Sequence, residues 1–272
     1  MAEKNRILSD RISAFSASSC KNSERSGFAG FNFPLRLRAG FFHRGRLITM
    51  LNALEAMHAR RSIREFTPEL VPLDTIRQLA EAAGRAPSSK NTQPWRLYLV
   101  QGAALEALRT DYLAAFDSGR PGQPGYQYSP NPLPAAWAAR AKDVGIGIFK
   151  HKGIGREEAD KRRAHDREKF RFFGAQQVFF LGTQESAFSY GTFLDCGFVL
   201  DNLMLGLVSL GCASCPQFSV MMYPDLLKQH IPNSADTLFI AALPFGRPKP
   251  GSRVNEFQPP RLPLEAWFKV VG

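Results

Sequence analysis

Hydrophobic and polar positions change their period several times along the 272-residue chain. Leu51, Leu54, Met57 and His58 fall at helical spacing and lead into Arg60 and Arg61. Ile76, Leu79, Ala80 and Ala83 repeat that spacing, which predicts a helix over Asp74–Ala86 with Pro72 near its first turn and Gly84 near its end. Arg96–Val100 reads as a strand and Ala103–Phe116 as a third helix. Residues 117–134 read as a Gly/Pro/Tyr-rich loop of a length that usually carries function or mobility. Two helical stretches follow, Ala135–Lys150 and the heavily charged Arg156–Phe172, which ends in aromatic residues. Gln177–Thr183 and Leu238–Leu243 read as buried strands, the second closed by a turn at Pro244-Phe245-Gly246-Arg247. Between them Phe193–Leu210 is apolar around most of its circumference, so both of its faces need cover. From Pro248 the chain is proline-rich and finishes in an apolar tail around Trp267 and Phe268 that needs a surface to lie on.

These elements form one mixed α and β domain without internal repeats, starting at Met50. Residues 1–49 differ: they mix Arg, Ser, Gly and Phe with no sustained period and no apolar secretory core. They read as a disordered extension, with an organelle transit peptide as the alternative. Charge sharpens the division. Of the formal net charge of +11, +6 lies in residues 1–49, and the remainder carries a mild +5. The total alone would suit a nucleic-acid-binding protein, but this distribution suits an anionic small ligand at least as well, and we expect no nucleic-acid partner. Four cysteines make no disulfide framework and fit reduced thiols in a cytoplasmic protein. No stretch has the unbroken apolar length of a membrane span; the nearest, residues 196–213, is interrupted by Asp201 and Asn202.

Two segments carry candidate chemistry. In Arg60-Arg61-Ser62-Ile63-Arg64, guanidinium forks and a hydroxyl could satisfy a phosphate monoester, although the same residues also fit a solvated basic turn. The loop Pro87-Ser88-Ser89-Lys90-Asn91-Thr92-Gln93-Pro94-Trp95 offers short hydrogen-bonding side chains beside a large aromatic, between a helix end and a strand start where ligand loops commonly lie. An ordinary capped turn is the alternative. Together the two segments suggest a site for a phosphorylated heterocycle. Cys212-Ala213-Ser214-Cys215 is a CxxC, but no second pair completes a zinc set and the thioredoxin context is missing, so small buried thiols are the expectation. His58, His151 and His165 have no metal spacing, and no nucleophile stands with a paired base. No side-chain catalyst is therefore expected.

The succession RRSxR, helix, APSSxNxQPW, strand resembles the opening of the nitroreductase family of FMN-dependent flavoproteins. Gly211-Cys212-Ala213-Ser214-Cys215-Pro216-Gln217 and Phe245-Gly246-Arg247-Pro248 are similar to its later features, and the likeness runs from Leu51 to Val271. Details at 170–173, 215–217 and 263–267 are similar to the branch that includes nitrobenzoate reductases. The resemblance implies an α+β fold with a central mixed sheet surrounded by helices, in an intertwined homodimer with FMN at the interface. It implies NADPH or NADH as electron donor and a nitroaromatic or quinone as acceptor, reduced by a two-electron ping-pong route. Other chemistry on the same flavin fold, such as reductive dehalogenation or flavin fragmentation, is the alternative.

By the same resemblance Arg60, Arg61, Ser62 and Arg247, beside Gly246, would hold the FMN phosphate. Arg64, with Arg171 as a second cation, would lie near the ring and stabilise its anionic reduced form. Pro87, Ser88, Ser89 and Asn91 would cover the flavin from the other subunit, and Pro216 and Gln217 would pass over it with a backbone N–H toward N5. The sequence departs from the family where many members have Pro-Ile/Met-Glu-Gly: here stand Pro216-Gln217-Phe218-Ser219, which alters the wall beside the ring. Gln176-Gln177 is also less apolar than a buried strand entry should be.

Overall fold

A computed structural model describes residues 51–272 in full and the backbone of 41–43 and 46–48. The expectation of a disordered extension therefore falls mostly outside the described residues. Within it, strand β1 (Phe41–His43) pairs antiparallel with β2 (Arg46–Ile48), Phe41 opposite Ile48. The triplets Phe41-Phe42-His43 and Arg46-Leu47-Ile48, each with two large apolar residues and separated by two residues that include Gly45, carry a hairpin signal that an absence of long-range period conceals.

Helix α1 (Ala53–Ala59) opens with a capping box in which the Asn52 side chain accepts the Glu55 N–H at 3.0 Å and Glu55 accepts the Asn52 N–H at 2.8 Å. Helix α2 (Leu73–Ala83) buries Ile76, Leu79 and Ala83, as its period requires. Strand β3 (Trp95–Gln101) leads into α3 (Gly102–Asp117). The charged pair of helices is α4 (Ala135–Lys152) and α5 (Ala159–Phe170). The second stops short of the expected Phe172 because Phe172 and Phe173 both take left-handed backbone, φ 53° and 55°, which ends the helix.

Strand β4 (Gln177–Gln184), helix α6 (Tyr190–Ser209), strand β5 (Ala213–Ser214), helix α7 (Pro224–His230), strand β6 (Thr237–Gly246) and helix α8 (Arg253–Glu256) complete the order. The sheet runs β3-β4-β6-β5, and all of its ladders are antiparallel. The expected mixed sheet is thus represented, among the described residues, only by an isolated parallel bridge between Ser62 and Ser214. Strand β6 extends through Gly246, so three of the four residues read as a closing turn belong to the ladder, with Gly246 opposite Ala213 and Arg247 just beyond it.

Alternate residues of β4 serve opposite cores. Phe179 and Leu181 pack with α2 and α6, whereas Val178 and Phe180 pack with α3, α7 and the turn at 219–222. Gly182 marks a register shift against β6; a Cβ there would lie 2.7 Å from the Leu238 carbonyl oxygen, so only glycine fits. Helix α6 buries Val199, Leu203 and Leu207, but Tyr190, Leu194 and Phe198 stay 93%, 61% and 40% exposed. The described residues cover one face of this helix and leave the other bare. By length and composition α6 could also cross a membrane, though here it packs on α2 and the sheet.

Candidate active site

The site begins at the strip Cys215–Ser219, which leaves β5 and runs beside β6. Its backbone is pinned from both directions: Gln217 N–H donates to Ala242 O at 2.7 Å, Ala242 N–H returns to Gln217 O at 2.9 Å, and Cys215 N–H donates to Pro244 O at 3.1 Å. Ile63 N–H donates to Ser214 O at 3.0 Å, and this contact carries Arg64 to the same place. Arg64 is held further by its own N–H on Asn255 Oδ1, 2.8 Å, and by Nη1 on Ser62 O, 3.3 Å. The Gln217 amide Nε2 donates to Lys169 O at 3.0 Å and ties the strip to the end of α5.

Strip, α4, α5 and the 117–134 loop enclose a cavity of about 770 Å³. Its polar lining includes Arg64, Asp166, Lys169, Pro216 and Gln217, with Lys169 ion-paired to Asp166 at 2.7 Å; its apolar lining includes Tyr128, Val144, Ile148, Phe218 and Met222. His165, one turn before Lys169 on α5, lies between this cavity and a second, more polar one of about 460 Å³. Its ring is 6% exposed and its Nδ1 has no partner. Burial, reinforced by Lys152 and Lys169, pushes its pKa down to about 4, so the imidazole is neutral at physiological pH. Gln217 Oε1 is buried without a partner as well. Burial pushes the Cys215 thiol up, against the opposing pull of Arg64, Ser62 and Arg60, and raises Cys212 in the same way. Both stay protonated, which does not favour thiolate chemistry.

The expected site residues fall into groups. Arg64, Pro216 and Gln217 meet at the cavity. Arg60 and Arg61 stand at the extended end of α1, in a neighbouring groove of about 330 Å³ that they share with Arg261. Ser62 lies on the bridge between these two places. Arg247 instead donates to the carbonyls of Leu210 and Gly211 at 3.4 and 3.2 Å, at the end of α6, with Gly246 in the strand before it. Arg171 is not on the cavity. It lies on the surface beyond α5, 3.7 Å from Glu168, and Lys169 takes the place at the rim.

Pro87, Ser88, Ser89 and Asn91 do not reach the cavity of their own chain. Ser89 N–H is held by the buried Asp195 of α6 at 3.2 Å, and the Ser88 hydroxyl accepts Gln93 N–H at 3.0 Å. The turn has three non-glycine residues in left-handed backbone, Lys90, Asn91 and Gln93, a kind of strain that gathers at functional sites.

Residues 57–247 match the sequence model of the nitroreductase family. The chain belongs to the nitroreductase family. It is 30% identical to the chloronitrobenzene nitroreductase of Comamonas testosteroni over 213 residues, 78% of this chain and 93% of that one. It is 30% identical to nitroreductase NfnB of Mycolicibacterium smegmatis, over 81% of this chain and 93% of the other. A crystal structure of an FMN and NADPH-dependent nitroreductase NfnB, from sphigopyxis sp. strain HMH, superposes with a TM-score of 0.77 at 32% identity, covering 82% of this chain and all of that one. Within this nitroreductase, sequence reasoning missed Lys169, His165 and Tyr128. The first two were legible as an i, i+4 pair on a charged helix, but nothing local marked which face of it was turned inward.

Proposed function

We propose that this nitroreductase is an FMN-dependent enzyme that uses NADPH or NADH to reduce nitroaromatic or quinone-type acceptors, in the cytoplasm and as a homodimer. The observation that carries this reading is the cavity, which combines Arg64 and the Lys169–Asp166 ion pair with apolar and aromatic lining. The residues fit a flavin. A flat amphipathic ring suits a space of this polarity, and the unpartnered Gln217 Oε1 is an acceptor awaiting a donor. Bound there, FMN supplies the redox chemistry, taking two electrons from the nicotinamide and passing them to the acceptor. Arg64 favours negative charge on whatever lies beside it, whereas the charge of Lys169 is offset by Asp166. The pinned Cys215–Ser219 backbone keeps the floor rigid, and α4 contributes apolar side chains, Val144, Ile148 and Phe149, to the wall. Arg60, Arg61 and Ser62, with Arg247, are the phosphate-holding groups of this reading.

Two features support the dimer. The bare Tyr190–Leu194–Phe198 face of α6 continues the apolar character of the tail, where Trp267 and Phe268 are also exposed. The strained 87–91 turn, remote from its own cavity, is available to a second copy.

Purified protein incubated with FMN should show bound-flavin absorption and be bleached anaerobically by a nicotinamide; a colourless protein after that treatment overturns the proposal. Comparing NADH and NADPH in stopped flow fixes the donor. Arg60→Ala is expected to weaken FMN retention, read as flavin lost on gel filtration, and unchanged occupancy removes Arg60 from the phosphate site.

A further inference from the structure

We infer that Phe218 is an aromatic-stacking subsite for a flat, electron-poor acceptor, and that Tyr128 occupies that place until the acceptor displaces it. The inference rests on the reading of the cavity as a flavin and acceptor site. Phe218 cannot move far, because the preceding Gln217 is hydrogen-bonded both ways to Ala242 and its own ring leans on the core beneath α6. Tyr128 covers it, ring on ring, with centroids 3.9 Å apart and planes 20° from parallel.

Tyr128 itself is loosely held. The loop is anchored by Gln123 N–H on Met222 O at 2.7 Å and by the Tyr126 hydroxyl on Ile240 O, with the Tyr126 ring edge-on to Phe193. Between residue 124 and Pro134, among the described residues, no backbone group hydrogen-bonds to the rest of the chain, and the Tyr128 hydroxyl has no partner. The stack is therefore the latch for this stretch, and a planar ligand can replace one aromatic ring by another at little net cost.

The surroundings select the replacement. Val144, Ile148 and Met222 line the same cavity as the stack, and so do Arg64 and the Lys169–Asp166 pair. A ligand with a bare aromatic ring on Phe218 and a polar, electron-withdrawing substituent toward Arg64 suits both. The negative face of a phenyl ring also favours a face-to-face partner whose own ring is electron-poor. An electron-rich amine product of the same shape stacks less well, so the subsite separates acceptor from product.

The test uses FMN-loaded wild type, Phe218→Leu and Tyr128→Ala. Nitrobenzene and aniline are titrated into the oxidised enzyme without nicotinamide, following the flavin absorbance. In wild type, nitrobenzene should bind more tightly than aniline. Phe218→Leu should weaken nitrobenzene about three- to tenfold, the worth of one aromatic pair, and Tyr128→Ala, on an exposed loop, should tighten it. The ratio of kcat/KM for nitrobenzene to that for ferricyanide, which has no ring to stack, should move with each binding constant. Unchanged nitrobenzene binding in both flavin-replete variants, or equal changes for ferricyanide, overturns the subsite alone. A wild type that holds no flavin overturns both this inference and the enzyme reading.

Discussion

His165 is the residue whose protonation the fold opposes most visibly. Its Nδ1 is unpartnered, Lys152, Lys169 and Arg64 repel a positive ring, and only Asp166 favours one. The unfolded chain takes up this proton near the ordinary 6.5 and the folded chain only near 4. Stability owed to the neutral ring is therefore complete above about pH 6.5 and is lost as pH falls from there to about 4. Thermal unfolding of wild type should show a midpoint that drops across that window, and His165→Phe should flatten this part of the profile; parallel profiles would refute the assignment. Other residues show what the sequence could and could not say. Arg64, Pro216 and Gln217, which the family resemblance puts at the site, lie on the two segments that the Ser62–Ser214 bridge joins and so meet at one cavity. Gln177 looked too polar for a strand entry. Its buried amide in fact accepts Val71 N–H at 2.8 Å and donates to Val71 O at 3.0 Å and to Gln101 Oε1 at 2.8 Å, contacts more than seventy positions away that no local pattern announces. Arg171, expected near the ring, lies off the cavity of its own chain: the left-handed Phe172 and Phe173 end the helix just beyond it, and Lys169 stands at the cavity.

Among the elements, α6 was read most fully. Its apolar circumference demanded cover on both faces, and the described residues supply only one. A Glu in the middle of the bare face would place a charge where apolar contact is proposed, so Leu194→Glu should shift the protein from dimer to monomer in light scattering after gel filtration; an unchanged mass places the interface elsewhere. The strands were legible from their alternation and apolar runs. Their directions were not, because a period of two is the same in parallel and antiparallel ladders. The bulge at Gly182 was likewise invisible, since it answers to the Leu238 carbonyl on another strand. The β1–β2 hairpin escaped notice because three-residue strands are shorter than any periodic window.

At the scale of the whole molecule, the charge division was readable from composition alone, whereas the separation of the 87–91 turn from the cavity needed three-dimensional placement. One strand ties the rest together. All ten residues of β6 are buried, and from it hang the Cys215 and Gln217 amides at the cavity floor and the Tyr126 hydroxyl at the loop. Floor and mouth thus have unequal endurance. In hydrogen exchange, the Gln217 and Ala242 amides should open only with global unfolding, while residues 127–133 should exchange through local opening far more cheaply. Equal protection in the two regions would contradict this. Warming short of the melting point should consequently blur which acceptors the enzyme admits well before it releases its flavin.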